Sequence, residues 1–269
     1  MRTDEYALIT GATSGIGFEL AKLFAADGWN LIIVARSIST LESVQEQLER
    51  QYGIDVVIIQ KDLFLEDSAQ EVYAEANSKG VRINALVNNA GQGIYGEFID
   101  TNLNRELAII TLNIQSVVIL TKYFLQDMVE RGEGRILNVA SVASKIPGPL
   151  QSVYHGTKAF VHSFTEAIRN EVKDKGVVIT SLLPGATDTD FFAKADMMEA
   201  KNVQEGKLGD PEKVAKDGYD ALMRGDDMVV SGLNNKIQVA MSSVLPDSVV
   251  AEKVHQQQAP VDPTKKKSL

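Results

Sequence analysis

The sequence predicts an α/β fold, a single-domain doubly wound parallel sheet with helices on both faces, and three observations carry that expectation. Short runs of Val, Ile and Leu alternate with stretches of helical period across residues 6–183. The runs are rich in consecutive apolar residues, as strands buried on both faces are, rather than strictly alternating apolar and polar. A glycine-rich turn at 11–17 joins the first run to the first helical stretch, where parallel sheets gather ligands at the carboxyl ends of their strands.

Each element follows from local pattern. Strand one is 6–10, and the helix after the glycine turn runs over 18–27 with Leu20, Leu23 and Phe24 on one face. Strand two, 31–35, leads to a helix over 40–51 whose stripe is Leu41, Val44 and Leu48. Strand three, 56–60, passes through Lys61, Asp62 and Leu63 into a helix at 68–79. Strand four is 85–88, its turn 89–93, and a long helix over 103–128 carries Asn113. Strand five is 134–139; a loop rich in Pro and Gly precedes a helix ending near Lys173. Strand six, 177–183, stops at Pro184 and Gly185, and a last strand is expected at 228–230 before an amphipathic stretch at 237–245.

Composition bounds the function. The chain has 269 residues, 44% hydrophobic and 23% charged, with a net charge of −9. A soluble globular protein is expected, and that charge disfavours phosphate backbones, so no nucleic-acid partner is predicted. Cysteine is absent, which removes thiolate catalysis and sulfur-ligated metals. His155, His162 and His255 lack metal-ligand spacing and read as solvated or core-edge residues; no metal is expected. With no signal core and no unbroken apolar run near the ~18 residues of a membrane span, the expected compartment is the cytoplasm.

The stretch 141–158, SVASKIPGPLQSVYHGTK, is where chemistry is expected. Tyr154 and Lys158 stand at i and i+4 on one helical face, and the loop returns Ser141 beside them. An ammonium ~4 Å from a phenol in an effective dielectric near ~20 favours the phenolate by ~4 kcal/mol, before desolvation takes some of it back. A tyrosine so placed can exchange a proton with an alcohol or a carbonyl near neutral pH. The glycines at 11, 15 and 17 permit a tight turn and close backbone approach, and the helix N-terminus behind them offers N–H groups to a pyrophosphate.

Taken together, Thr10-Gly-x-x-x-Gly-x-Gly17, Asn88-Asn89-Ala90-Gly91, Asn113, Ser141, Tyr154-x-x-x-Lys158 and Pro184-Gly185 resemble the short-chain dehydrogenase/reductase (SDR) family. The likeness runs in unbroken order from Tyr6 to about Thr189. It implies an NAD(P)-dependent oxidoreductase (EC 1.1.1.-) acting on a carbonyl/alcohol pair, on a Rossmann-type fold, as a homodimer or homotetramer. By position, Tyr154 would be the general acid/base, Lys158 would hold the cofactor ribose and depress the tyrosine pKa, Ser141 would bind the substrate oxygen, and Asn113 would anchor a water. The cofactor would also meet Gly11, Thr13, Ser14, Gly15, Ile16, Gly17, Asp62, Leu63, Asn89, Ala90, Gly91, Pro184, Gly185, Thr187 and Thr189. Ala140, Ser144 and His155-Gly156-Thr157 depart from the family's usual letters without removing a catalytic side chain. Gly156 inside a helix suggests close packing there.

Cofactor choice is read at the end of strand two. An NAD-preferring site carries Asp or Glu there; this chain has Arg36 and Ser37, and no acid before Glu42. Arg36 can grip a 2′-phosphate and Ser37 can add a donor, so NADP(H) is the expected cofactor and NAD(H) the secondary one. Phe191, Phe192, Met197 and Met198 suggest an apolar lid around 186–210 over a hydrophobic carbonyl substrate. Asp188 and Asp190 are expected to cap the following helix. The domain is expected to span 1–255, with the polar segment 256–269 a disordered tail. The other class open to this fold is a nucleotide-sensing or scaffold protein without turnover; the joint presence of Asn113, Ser141, Tyr154 and Lys158 favours the enzyme.

Overall fold

The structure, a computed structural model, describes residues 5–242 and 244–261. In chain order it runs β1 (Glu5–Thr10), α1 (Gly15–Ala26), β2 (Asn30–Ala35), α2 (Ile38–Tyr52), β3 (Val56–Gln60), α3 (Ser68–Ser78) and β4 (Arg82–Asn88). Then follow α4 (Leu103–Ile110), a π turn (Thr111–Gln115), α5 (Ser116–Arg131), β5 (Gly134–Val139), a 3₁₀ turn (Val142–Lys145), α6 (Ser152–Val172) and β6 (Val177–Leu183). The remainder is α7 (Phe191–Lys194), α8 (Lys201–Gln204), α9 (Pro211–Arg224), β7 (Met228–Val230), α10 (Leu233–Ser242) and α11 (Asp247–Gln258).

The strands form a 7-stranded parallel sheet in the order β3-β2-β1-β4-β5-β6-β7. The chain winds outward from β1 to β3, then crosses back to β4 on the other side of β1. That reversal opens a crevice beyond the carboxyl ends of β1 and β4. Period-two alternation sorts each strand's side chains between two cores. Ala7, Ile9, Leu31 and Ile33 pack with Leu20, Phe24, Leu41 and Leu48 of α1 and α2 on one face. Leu8, Ile32, Val34 and Ile59 pack with Val72, Phe124 and Met128 of α3 and α5 on the other. Each fully buried Leu or Ile contributes about 1.5–3 kcal/mol, and Asn88 and Asn138, buried polar residues of the strands, are hydrogen-bonded to one another.

Helix α9 answers to no predicted element, although its signals stand in the sequence. Asp210 accepts a hydrogen bond from Glu212 N at 3.0 Å, Pro211 opens the first turn, and Gly225 closes the helix at φ 81°. It covers α1, where Phe24 meets Tyr219 edge-on at 4.9 Å and the Tyr219 hydroxyl donates to Asp27 at 2.9 Å.

Four expectations are corrected. Leu103–Arg131 is, by length and composition, long and apolar enough to cross a membrane; Asn113 and Gln115 interrupt it as a letter run but not as a helix. Its Leu112, Leu120, Phe124 and Met128 are core residues against the sheet. The segment 256–258 is not a disordered tail but the end of α11, and 259–261 is tied down by an antiparallel bridge from Pro260 to Ala200; 262–269 lies outside the described residues. Asp190 stands at the start of α7 without a side-chain cap bond, and Thr189 Oγ1 accepts from Phe191 N at 3.3 Å instead.

The fourth correction is Gly156. Its α6 position is exposed, and a Cβ there would meet nothing within 4 Å. Close packing does not explain it, so Gly156→Ala is expected to stabilise the protein by about 0.5–1 kcal/mol. Urea denaturation checks this; an unchanged or lowered midpoint would contradict it.

Candidate active site

The glycine turn is held in shape from β4. Thr10 Oγ1 accepts from the backbone N–H of Asn89 at 3.1 Å and of Ala90 at 3.0 Å, while Asn89 Nδ2 donates to the carbonyls of Thr10 at 2.9 Å and Gly11 at 3.2 Å. Gly11 and Gly15 take φ of 66° and 54°, and a Cβ on Gly17 would strike Gly11 O and Asn89 Nδ2. Side chains are thus excluded where the β1 and β4 ends meet. Ser14, the N-cap of α1, makes no side-chain cap bond, and the first turn carries no acid. The opening N–H groups of α1 and its positive dipole end are left to a ligand.

Ser141, Tyr154 and Lys158 converge as predicted. Ser141 follows β5, caps the 3₁₀ turn by accepting from Ala143 N at 3.1 Å, donates to Pro184 O at 3.4 Å, and pulls the Tyr154 pKa downward. Lys158 Nζ donates to Val139 O at 2.8 Å and stands 5.9 Å from the Tyr154 ring centroid. Asn113 lies in the π turn, a form of helix frequent at functional sites. Its Nδ2 donates to Gln92 O at 2.9 Å and Thr157 Oγ1 at 3.0 Å, and its Oδ1 accepts from Gln92 N at 3.0 Å. The amide is therefore fully engaged in fixing the turn after β4 against α6. Gly91, in that turn, would place a Cβ 3.2 Å from Lys158 Nζ, so the wall before the lysine has to stay bare.

The electrostatics differ from the spacing argument. Burial pushes the Tyr154 phenol up to about 12, against a smaller downward pull from the Ser141 hydrogen bond. Burial likewise lowers Lys158 to about 8. The ammonium points to the Val139 carbonyl, and desolvation sets the direction of the shift at Tyr154. A lysine whose folded pKa lies below its unfolded value weakens the fold. The penalty is complete below pH 8 and fades as pH rises toward 10.5. Lys158→Met is accordingly expected to raise stability at pH 7 by about 2 kcal/mol, from about 3 kcal/mol of relieved desolvation less about 1 for the Val139 hydrogen bond. Urea unfolding at pH 7 and above pH 10 measures it; a destabilised variant at pH 7 would refute the charge penalty.

The remaining predicted residues line one cavity of ≈ 1090 Å³: Gly11, Thr13, Ser14, Gly15, Ile16, Gly17, Arg36, Ser37, Asp62, Leu63, Asn89, Ala90, Gly91, Pro184, Gly185, Thr187 and Thr189. Phe191, Phe192 and Met197 line it too, whereas Met198 is 49% exposed and belongs to the outer surface. Phe191 reaches Tyr154, ring centroids 5.1 Å apart. His155 and His162 are buried rather than solvated. His155 Nδ1 pairs with Ile146 O at 2.9 Å and His162 Nδ1 with Ser181 Oγ at 3.1 Å, and burial lowers both pKa values. Among the described residues no cluster of metal-ligating side chains occurs. Unforeseen in the lining are Phe64, Gln151, His155 and Gln258. Phe64 follows Asp62-Leu63 directly and lies under Arg36, whose guanidinium is 5.4 Å from the ring centroid.

This constellation on this topology marks a family. The profile of the short chain dehydrogenase family matches residues 5–200, and the chain belongs to that family. It is 34% identical over 187 residues to the very-long-chain 3-oxoacyl-CoA reductase of Bos taurus, covering 67% of this chain and 58% of that protein. It is 36% identical over 188 residues to 17-beta-hydroxysteroid dehydrogenase type 3 of Rattus norvegicus, covering 69% of this chain and 60% of that one. The chain thus matches less than two thirds of each relative's length. Among solved structures, a short-chain dehydrogenase from Sphingobium yanoikuyae in complex with NADPH superposes with a TM-score of 0.80 at 27% identity, covering 90% of this chain and 96% of that one. The bulky-bulky ketone specific alcohol dehydrogenase from Comamonas testosteroni does so at 0.75 and 25%, covering 92% and 97%.

Proposed function

We propose that the chain interconverts a hydrophobic ketone or aldehyde and the corresponding alcohol with NADP(H), Tyr154 acting as general acid/base. The observation that carries this is the meeting of Ser141, Tyr154 and Lys158 in the same cavity as the uncapped start of α1. The residues fit the dinucleotide, since Gly11, Gly15, Gly17 and Gly91 line the cavity and the start of α1 carries no side-chain cap bond. When bound, the nicotinamide exchanges the hydride. The Ser141 hydroxyl orients the substrate oxygen. Tyr154, protonated at pH 7 by its raised pKa, delivers the proton that an alkoxide requires. Lys158 keeps two further N–H groups beyond its bond to Val139 O for the ribose hydroxyls. Asn113 supports the proton path through the backbone of its π turn, because its side chain is committed to Gln92 and Thr157.

The substrate class is supported by the apolar cluster Phe192, Ala195, Met197 and Ala200, backed by Tyr95 and Phe191, which walls the site as a lid. The relatives' names, an oxoacyl-CoA reductase and a hydroxysteroid dehydrogenase, agree with it. Exposed Leu103, Leu107, Tyr123 and Phe160 on α4, α5 and α6 support a homodimer or homotetramer. The test follows NADPH and NADH absorbance across a panel of carbonyl compounds. Bulky apolar ketones are expected to turn over best, and Phe191→Ala or Met197→Ala to raise their KM roughly ten-fold through lost apolar contact. Best turnover of compact charged acids, with KM untouched by both truncations, would overturn the substrate class.

A further inference from the structure

Two glutamines of the cavity lining carry buried polar atoms that no protein group satisfies. Gln151, which precedes α6, is 5% exposed and its Nε2 has no hydrogen-bond partner. Gln258, the last residue of α11, is 7% exposed and its Oε1 has none either. Both line the cavity, and both border His155. The His155 N–H donates to Gln151 O at 3.0 Å, and Gln258 Nε2 lies 3.5 Å from His155 Nε2. The position a Cβ would take on Gly93 is 3.1 Å from Gln151 Nε2, 3.4 Å from Tyr154 Cδ2 and 3.0 Å from Phe191 Cζ, which sets the Gln151 amide beside the reacting phenol.

The two orphans have opposite needs. His155 Nδ1 faces a carbonyl, Ile146 O, and so carries the proton; its Nε2 is then an acceptor, and Gln258 turns its amide nitrogen to it. That leaves Gln258 an acceptor and Gln151 a donor, the two complements of a hydroxyl group. Burial holds His155 below its ordinary pKa, so its ring adds no charge at pH 7. Gln258 is also held in place. Tyr95 donates its hydroxyl to Gln258 O at 2.6 Å, Lys201 N donates to Ala259 O at 3.0 Å, and Val261 N donates to Glu199 O at 2.9 Å. The C-terminal segment is thereby laced to the stretch that carries Phe192 and Met197. Buried polar groups are ordinarily paired, and an unpaired donor and acceptor in one ligand cavity point to a ligand that completes them.

We propose that Gln151 and Gln258 form a subsite for a hydroxyl that the substrate carries in addition to its reacting carbonyl, making the preferred substrate a hydrophobic hydroxyketone. This rests on the oxidoreductase reading above. The probes are the ortho, meta and para isomers of (hydroxymethyl)acetophenone, each against the ethylacetophenone of the same shape. In the wild type with NADPH the best hydroxymethyl isomer is expected to exceed its ethyl counterpart at least about ten-fold in kcat/KM, as two hydrogen bonds to buried partners allow. Gln151→Leu and Gln258→Leu, on separate elements, should each bring that ratio near one. Turnover of the ethyl compounds with no preference for any hydroxymethyl isomer overturns the subsite and leaves the reductase standing; a water bridging the two amides gives that result. If no ketone turns over, calorimetric titration of the same pairs into the protein with NADPH decides. Tighter binding of a hydroxymethyl isomer that both Leu variants lose supports the subsite while the reductase reading falls, and equal binding refutes it.

Discussion

Tyr154→Phe is expected to lower kcat for carbonyl reduction about 10³-fold while leaving the Kd for NADPH unchanged. The substitution removes one hydroxyl and keeps the ring, so the packing of residue 154 against Phe191 at 5.1 Å survives. What disappears is the hydroxyl that would carry the transferable proton. Positioned acid–base groups contribute about 10²–10⁴ in rate. The middle of that range is expected here, because the same hydroxyl would also bind the substrate oxygen on which negative charge develops. The cofactor is expected to meet the glycine turn, Lys158 and the β6 loop, none of which the ring change disturbs. Single-turnover kinetics with NADPH and a calorimetric cofactor titration measure the two halves of the claim. Residual activity above about a tenth of wild type would remove Tyr154 from its role, whatever the scale of general catalysis elsewhere.

The parts of this molecule legible in the sequence are those set by side-chain identity at fixed spacing. Tyr154 and Lys158 share a helical face because helices have 3.6 residues per turn, and β3, β6 and β7 fall on the predicted 56–60, 177–183 and 228–230 because strand runs are bounded by turn residues. What depends on burial was not legible. The i, i+4 spacing implies that Lys158 lowers the tyrosine pKa, yet the structure turns Nζ to Val139 O and desolvation raises Tyr154 instead. Composition misled at the C-terminus for a related reason. Gln256, Gln257 and Gln258 read as a polar tail, but Gln258 is buried through backbone bonding to Tyr95 and a side-chain approach to His155, neither of which a local window can foresee. Met198 differs from Met197 only in the direction its backbone gives it: one side chain is 1% exposed and the other 49%. Helix α9 was missed although Asp210, Pro211 and Gly225 announce both its ends.

Arg36→Ala is expected to cut kcat/KM with NADPH about 10- to 100-fold and to change kcat/KM with NADH less than about three-fold, since hydrogen bonds to charged groups are worth about 1.5–3 kcal/mol. β2 ends at Ala35, in the crevice beside the glycine turn, and the next side chain is the arginine. Its carbonyl accepts from Gln60 Nε2 at 3.0 Å, and the guanidinium lies over Phe64. Among the described residues it makes no ion pair, so its charge and its fork of donors are available to a 2′-phosphate. Ser37 is less free. It is the N-cap of α2, accepting from Thr40 N at 3.3 Å and pairing with Thr40 Oγ1 at 2.8 Å. Ser37→Ala therefore should weaken α2 by about 1 kcal/mol while shifting cofactor preference little. Without a carboxylate at this strand end, a ribose 2′-hydroxyl finds no strong acceptor, and NADH is left to bind through contacts the two cofactors share. The measurement is the ratio of kcat/KM for the two cofactors in wild type and variant. A wild type that prefers NADH, or a variant that loses both equally, would mean that Arg36 only stacks on Phe64 and that the phosphate is selected elsewhere.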